Sequence, residues 1–160
     1  MNNQVPVKFK IKGITFPRLD FVFIGASVGD DFDYAFRVEG LVSDDKNLKI
    51  LFGVRLFSRD KVEEKTPKIQ VTVEAIAEFE FEQILPRINH MKDVPMAGNL
   101  LAFMYPFIRE KINYCFVNNG MSLFLPSVNT FQLVKDNFDN PNFRITDSRD
   151  EKEASRSEST

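Results

Sequence analysis

The side chains best suited to chemistry are scarce in this sequence. There is one cysteine, Cys115, and one histidine, His90. A zinc site needs several such ligands, and a thiol–imidazole dyad needs a base held beside its nucleophile. His90 lies in the loop RINHMKD with no partner placed near it. Cys115 falls on an apolar helical stripe, where a thiol packs as a small hydrophobe. The segment GASVG (25–29) lacks the spacing and the lysine of a phosphate loop. Glu74, Glu78, Glu80 and Glu82 alternate along one strand face, which suits either a solvated face or a docking surface for a cationic partner. Arg109 and Glu110 suit ordinary helix-surface charges or a pair across subunits. No cofactor follows from any of these, and a binding protein is expected rather than an enzyme.

What the chain holds in quantity is phenylalanine: 17 residues, with no Trp and 3 Tyr. Phe supplies large apolar area without a polar handle, which favours contact by area over directed hydrogen bonding. The net charge of -2 resides in the last fourteen residues, DSRDEKEASRSEST, leaving a balanced body. A body without a basic stripe argues against nucleic acid as a partner. A single cysteine permits no internal disulfide and suits a reducing compartment. The start, MNNQVPVKFKIKG, is not the pattern of a secretory signal. The most apolar run, residues 100–108, is about half the ~20 residues that span a bilayer, so no membrane insertion is expected. A soluble cytoplasmic domain is the expectation.

The elements follow from periodicity. Strict alternation predicts four strands: VKFKIKGI, DYAFRVEGLV, LKILFGVRLF and KIQVTVEAIAEFEFE. In the last, Ile69, Val71, Val73, Ala75, Ala77, Phe79 and Phe81 share one face. The opposite face is polar, with Ile76 its one apolar exception. This is the pattern of an antiparallel sheet with one side wet. SDDKN (43–47) and residues 58–67 read as polar hairpin connections, and residues 16–33 as a long, greasy, irregular one. From Ala97 to Asn119 the period changes to three or four. Leu101, Met104 or Tyr105, Ile108, Ile112 and Cys115 form one stripe; Leu100, Phe103, Phe107 and Tyr114 form a second. Gly120 is the expected helix cap, and Asn129 the N-cap of a short second helix. One sheet face needs only one stripe, so the second predicts an oligomer interface. Pro106, which would cost roughly 3 kcal/mol in a helix interior, must be held by packing or kink the helix. The fold class is α+β: a four-stranded antiparallel sheet, then one long and one short helix. A single domain over 1–146 is expected, followed by a disordered polar tail, 147–160.

YPFIREKI, followed by Gly120 and LPSVNTF, resembles the SecB family of protein-export chaperones. In that family a Phe-Pro-Tyr-x-Arg-Glu helix precedes a glycine, a Leu-x-Pro-x-Asn-Phe-like turn and a second helix. The matching positions are Tyr105, Pro106, Phe107, Arg109, Glu110, Ile112, Gly120, Leu125, Pro126, Val128, Asn129 and Phe131. The resemblance implies an ATP-independent holdase, assembled as a dimer or dimer of dimers, that holds unfolded polypeptides or preproteins in hydrophobic grooves. Leu100, Phe103, Tyr105, Phe107 and Arg109 would form the oligomer interface. Phe21 and Phe23 of the long connection, with Leu123, Phe124, Phe131, Leu133 and Val134, would form one continuous client trough. SecB proteins dock the motor SecA through acids on the first and fourth strands. Gly13 and Pro17 stand at two of those positions, and Glu74 remains as a weak SecA contact. The family's glycine-containing stretch of the fourth strand is replaced by AEFEFE. The alternatives are a SecB-like chaperone dedicated to an antitoxin and, from another class, a small hydrophobic-ligand carrier or enzyme.

Overall fold

A computed structural model describes residues 7–24, 31–59, 61–63, 66–121, 125, 127–137 and 139–149. Three long strands come first: β1 (Phe9–Phe23), β2 (Phe32–Val42) and β3 (Asn47–Ser58). A two-residue ladder, β4 (Lys61–Val62) with β5 (Thr66–Pro67), leads into β6 (Ile69–Phe81). Two helices follow, α1 (Ala97–Asn118) and α2 (Thr130–Asp136), and then a short strand, β7 (Phe143–Asp147). The main sheet has the order β1-β6-β3-β2-β7. Every pair is antiparallel except β2–β7, which is parallel.

The α+β class and both helices stand as expected, but the sheet is five-stranded and mixed rather than four-stranded and antiparallel. The fifth strand comes from a stretch whose alternation, Phe143 and Ile145 against Arg144 and Thr146, is too short to announce itself. Strand β2 supplies what the local pattern lacks. Phe143 is buried, and Ile145 sits against Gly40, where a Cβ would stand 2.9 Å from the Ile145 Cδ1.

A second correction concerns β1. It continues through Phe16 to Phe23, over residues that read as irregular connection. Its register against β6 slips twice, between Ile11 and Gly13 and between Thr15 and Arg18. Each bulge resets which residues face inward, so the period-2 signal breaks although pairing continues. Pro17 is tolerated because β1 is an edge strand, with no ladder bond to lose on its outer side.

The core lies between the inner sheet face and α1. Leu48, Ile50, Phe52, Val54 and Leu56 of β3 and the seven apolar inward positions of β6 are buried. They meet Leu101, Met104, Ile108 and Ile112 of α1. Helix α1 runs on through Pro106, held by that packing. It ends where anticipated: Gly120 has φ +69°, and the Met121 amide donates to the Phe116 carbonyl at 3.0 Å. Asn129 caps α2, its side chain accepting from the Gln132 amide at 3.0 Å.

The chain stays ordered past its expected end. Asp147 closes β7, and the buried Arg149 guanidinium donates to Asp147 Oδ1 at 2.8 Å, the Leu85 carbonyl at 2.9 Å and the Pro86 carbonyl at 2.7 Å. The first residues of the segment expected to be tail therefore tie the end of β7 to the loop after β6.

Candidate binding surfaces on α1 and β1

Helix α1 uses one side for the core and leaves another open. Phe103, Phe107, Tyr114 and Val117, three, four or seven residues apart, share the outer side and are 38–68% exposed. The Phe103 and Phe107 rings lie 6.1 Å apart. This is the second apolar stripe, with two changes in its membership. Leu100 is fully buried and Tyr105 nearly so, so neither is offered to a partner chain as expected; both belong to this chain's own core. Val117, three residues after Tyr114, extends the stripe instead, a signal present in the sequence.

Along the flank of α1 runs a cleft of about 450 Å³. Tyr105, Pro106, Arg109 and Asn113 form its helix wall, and Val128 and Thr130 stand opposite. Because proline has no N–H, Pro106 leaves the Ala102 carbonyl without its i+4 donor, and both residues line the cleft. Asn113 Oδ1 is buried without a hydrogen-bond partner among the described residues. The cleft therefore combines apolar and polar lining with one helical carbonyl, that of Ala102, that lacks its usual donor. Burial pushes the Tyr34 and Tyr105 phenols up, so both remain protonated at neutral pH, with Arg109 nearby.

A second apolar area lies at the far end of β1. Phe21 packs edge-on against Phe116 of α1 at 5.8 Å, and Phe23 stacks beside it at 6.3 Å. Leu19, two residues before Phe21 and on the same face, is 46% exposed, and Phe23 is 41% exposed. The alternation Leu19, Phe21, Phe23 could have marked this face as strand. On α2, Phe131 is 59% exposed, Leu133 half-buried, and Val134 buried in the core.

Among the described residues these side chains lie at two separate places rather than in one continuous trough. Phe21 and Phe23 meet α1 at Phe116, whereas Phe131 lies against Gly98. At 1.5 Å per residue those contact points are ~27 Å apart along the helix. Leu123 and Phe124, which would lie between them in sequence, are outside the described residues.

The placement of α2 depends on Gly98. A Cβ there would stand 2.5 Å from Phe131 Cδ1 and 3.0 Å from the Phe131 Cα. The Thr130 hydroxyl donates to the Gly98 carbonyl at 2.7 Å, tying the helices at the same point. Gly98→Ala is expected to push α2 away and lower stability by about 1–3 kcal/mol in urea unfolding. An unchanged midpoint would show that Phe131 swings aside freely.

The remaining candidates are spoken for. Glu74 accepts from Arg37 Nη1 at 3.2 Å and lies 4.0 Å from Arg18, with its side chain 13% exposed. Lys10 meets Glu80 at 3.2 Å, Lys49 meets Glu78 at 3.9 Å and Lys8 meets Glu82 at 3.7 Å. The acids of β6 thus face bases on neighbouring strands. Burial pushes the Cys115 thiol up, away from the thiolate form a nucleophile needs. His90 is exposed, and its amide donates to Asp93 Oδ2 at 2.9 Å. Among the described residues no three His, Cys, Asp or Glu gather as a metal site, and no helix is long and apolar enough to cross a membrane.

No family model matches the chain, and no curated protein matches it by sequence. Among solved structures it is similar to the Mycobacterium tuberculosis SecB-like chaperone Rv1957 in complex with a ChAD peptide from the Rv1956 HigA1 antitoxin. The identity is 15%, over 75% of this chain and 89% of that one, with a TM-score of 0.56. The fold is SecB-like.

Proposed function

We propose that this chain is an ATP-independent chaperone that holds an extended, apolar stretch of an unfolded polypeptide. The observation that carries the reading is the apolar surface left open on α1 and β1: Leu19, Phe23, Phe103, Phe107, Tyr114 and Val117 are all at least 38% exposed. Each such side chain is already partly covered, so a partner that buries the rest contributes about 0.6–2 kcal/mol, the exposed share of full burial, without the convergent polar groups an active site requires. The outer stripe of α1 serves a second copy, giving a dimer or dimer of dimers. The end of β1 and the cleft beside α1 take the client, one of whose backbone amides meets the Ala102 carbonyl that Pro106 leaves without a donor.

Within this class, a chaperone dedicated to an antitoxin is better supported than a general export chaperone. The structural neighbour holds an antitoxin peptide. Glu74, the one acid left that would attract an export motor, is paired within this sheet to Arg37 and Arg18. An acceptor already engaged gives little electrostatic steering to a basic partner.

The test is suppression of aggregation of a chemically unfolded client, with Phe23→Ser against the parent chain. Phe23 is partly exposed at a sheet end, so the variant is expected to keep its urea midpoint and lose at least half of its suppression per folded molecule. Full suppression by the variant would exclude the β1 end from the client surface. Failure of the parent chain to delay aggregation at any ratio would exclude the function. Co-expression with an antitoxin and with an exported preprotein then separates the two forms by which of them is protected from proteolysis.

A further inference from the structure

The sheet face turned away from α1 has no layer over it among the described residues, and by alternation it would be polar throughout. It is interrupted on three adjacent strands. Leu51 of β3 lies directly across from Ile76 of β6, and Leu41 of β2 is paired with Lys49, one step along from Leu51. With Gly40 and Thr146 they line a cleft of about 510 Å³ whose charged members are Glu39, Lys49 and Arg144. Leu41 alone is 40% exposed, and none of the three belongs to the core. Apolar residues gathered in register on a wet face signal contact with something else.

The charges indicate what that is. The Lys49 and Arg144 side chains are 50% and 65% exposed, whereas their partners Glu78 and Glu39 are 36% and 30% exposed. Glu39 is already engaged by Arg37 and Arg144, and Glu78 lies within reach of Lys12 and Lys49. The rim therefore carries two cations to one carboxylate, and each cation is the more exposed member of its pair. We propose that this cleft docks an acidic, apolar segment of a partner protein, seating aliphatic or aromatic side chains on Leu41, Leu51 and Ile76 with flanking carboxylates on Lys49 and Arg144. A basic segment would meet the exposed cations and find no free carboxylate. The cleft lies across the sheet from α1, so docking and client binding can proceed together.

The test titrates the full chain against a fluorescein-labelled peptide, Glu-Leu-Asp-Ile-Glu-Leu-Asp, and against its counterpart with lysine at every acidic position, read by fluorescence anisotropy. The acidic probe is expected to bind at least tenfold more tightly than the basic one, and more weakly as salt is raised. Ile76→Thr, which retains β-branching, is expected to weaken it at least fivefold, and Lys49→Gln two- to fivefold with a shallower salt dependence. Equal affinity for both probes, or unchanged binding by both variants, overturns the proposal. Displacement of the probe by excess unfolded client would place it on the client surface and overturn it as well. A fall in assembly mass on Ile76→Thr would identify a second copy of the chain as the occupant, again against the proposal. Client displacement would move the client surface of the holdase reading to this face; the other outcomes leave that reading, which rests on α1 and the end of β1, untouched.

Discussion

Arg149→Ala is expected to lower the unfolding free energy by about 3 kcal/mol, the scale for breaking a buried ion pair from one side. The side chains of Arg149 and Asp147 are 8% and 7% exposed, and their hydrogen bonds are the closure between β7 and the loop after β6. Removing the guanidinium leaves a buried carboxylate and two orphaned carbonyls, those of Leu85 and Pro86. The Arg149 hydrogen bonds hold Asp147 down from its ordinary 3.8 to about 2. A carboxyl with a depressed folded-state value stabilises the fold once pH exceeds its unfolded value, and that stability is lost as pH falls toward the folded value. The contribution is about 2 kcal/mol at neutral pH, disappearing between roughly pH 4 and pH 2. Urea unfolding at pH 7 and at pH 2.5 measures both. The variant is expected to lose stability at pH 7 and to show a flatter response to acid than the parent. A loss of under about 0.5 kcal/mol would mean the C-terminal strand is held by β2 pairing alone.

Phe107→Asp is expected to reduce the assembly to smaller species, with little change in the stability of the single chain. Phe107 is 38% exposed and touches Phe103, with Tyr114 and Val117 farther along the same side. In a monomer the aspartate would reach water. In an interface it would be buried without a partner, a penalty of several kcal/mol repeated at each symmetry-related copy. Light scattering at micromolar concentration distinguishes the cases. A parent chain that already runs as a monomer would remove the interface, and a variant that keeps its oligomeric mass would move it elsewhere. Arg109, also expected at the interface, lines the cleft beside α1 instead, so Arg109→Ala is the comparison that separates client loss from dissociation.

The parts of this fold that depend on one element at a time were legible in the amino-acid sequence. The alternation of β6 identified both of its faces, because a strand's side chains take opposite sides whatever pairs with it. The two stripes of α1, the cap at Gly120 and the N-cap at Asn129 were equally local. Ile76 was visible as an exception, but its partners Leu41 and Leu51 became a cluster only when register set them side by side.

What tertiary structure decided was everything that depends on a partner. The bulges that carry β1 past Gly13 and Pro17 exist relative to β6, so alternation within β1 could not reveal them. Strand β7 is too short to stand on its own pattern and is a strand because β2 offers an edge and a notch at Gly40. Leu100 read as an outer-stripe residue and Tyr105 as an interface residue, and both are core, since helical phase gives a direction and not what lies there. Arg149 looked like a tail residue because charge ordinarily seeks water. It is buried because Asp147, two residues before it, and Leu85 and Pro86, more than sixty residues earlier, converge as its acceptors. Periodicity specifies which way a side chain points, and only the folded chain specifies what it meets.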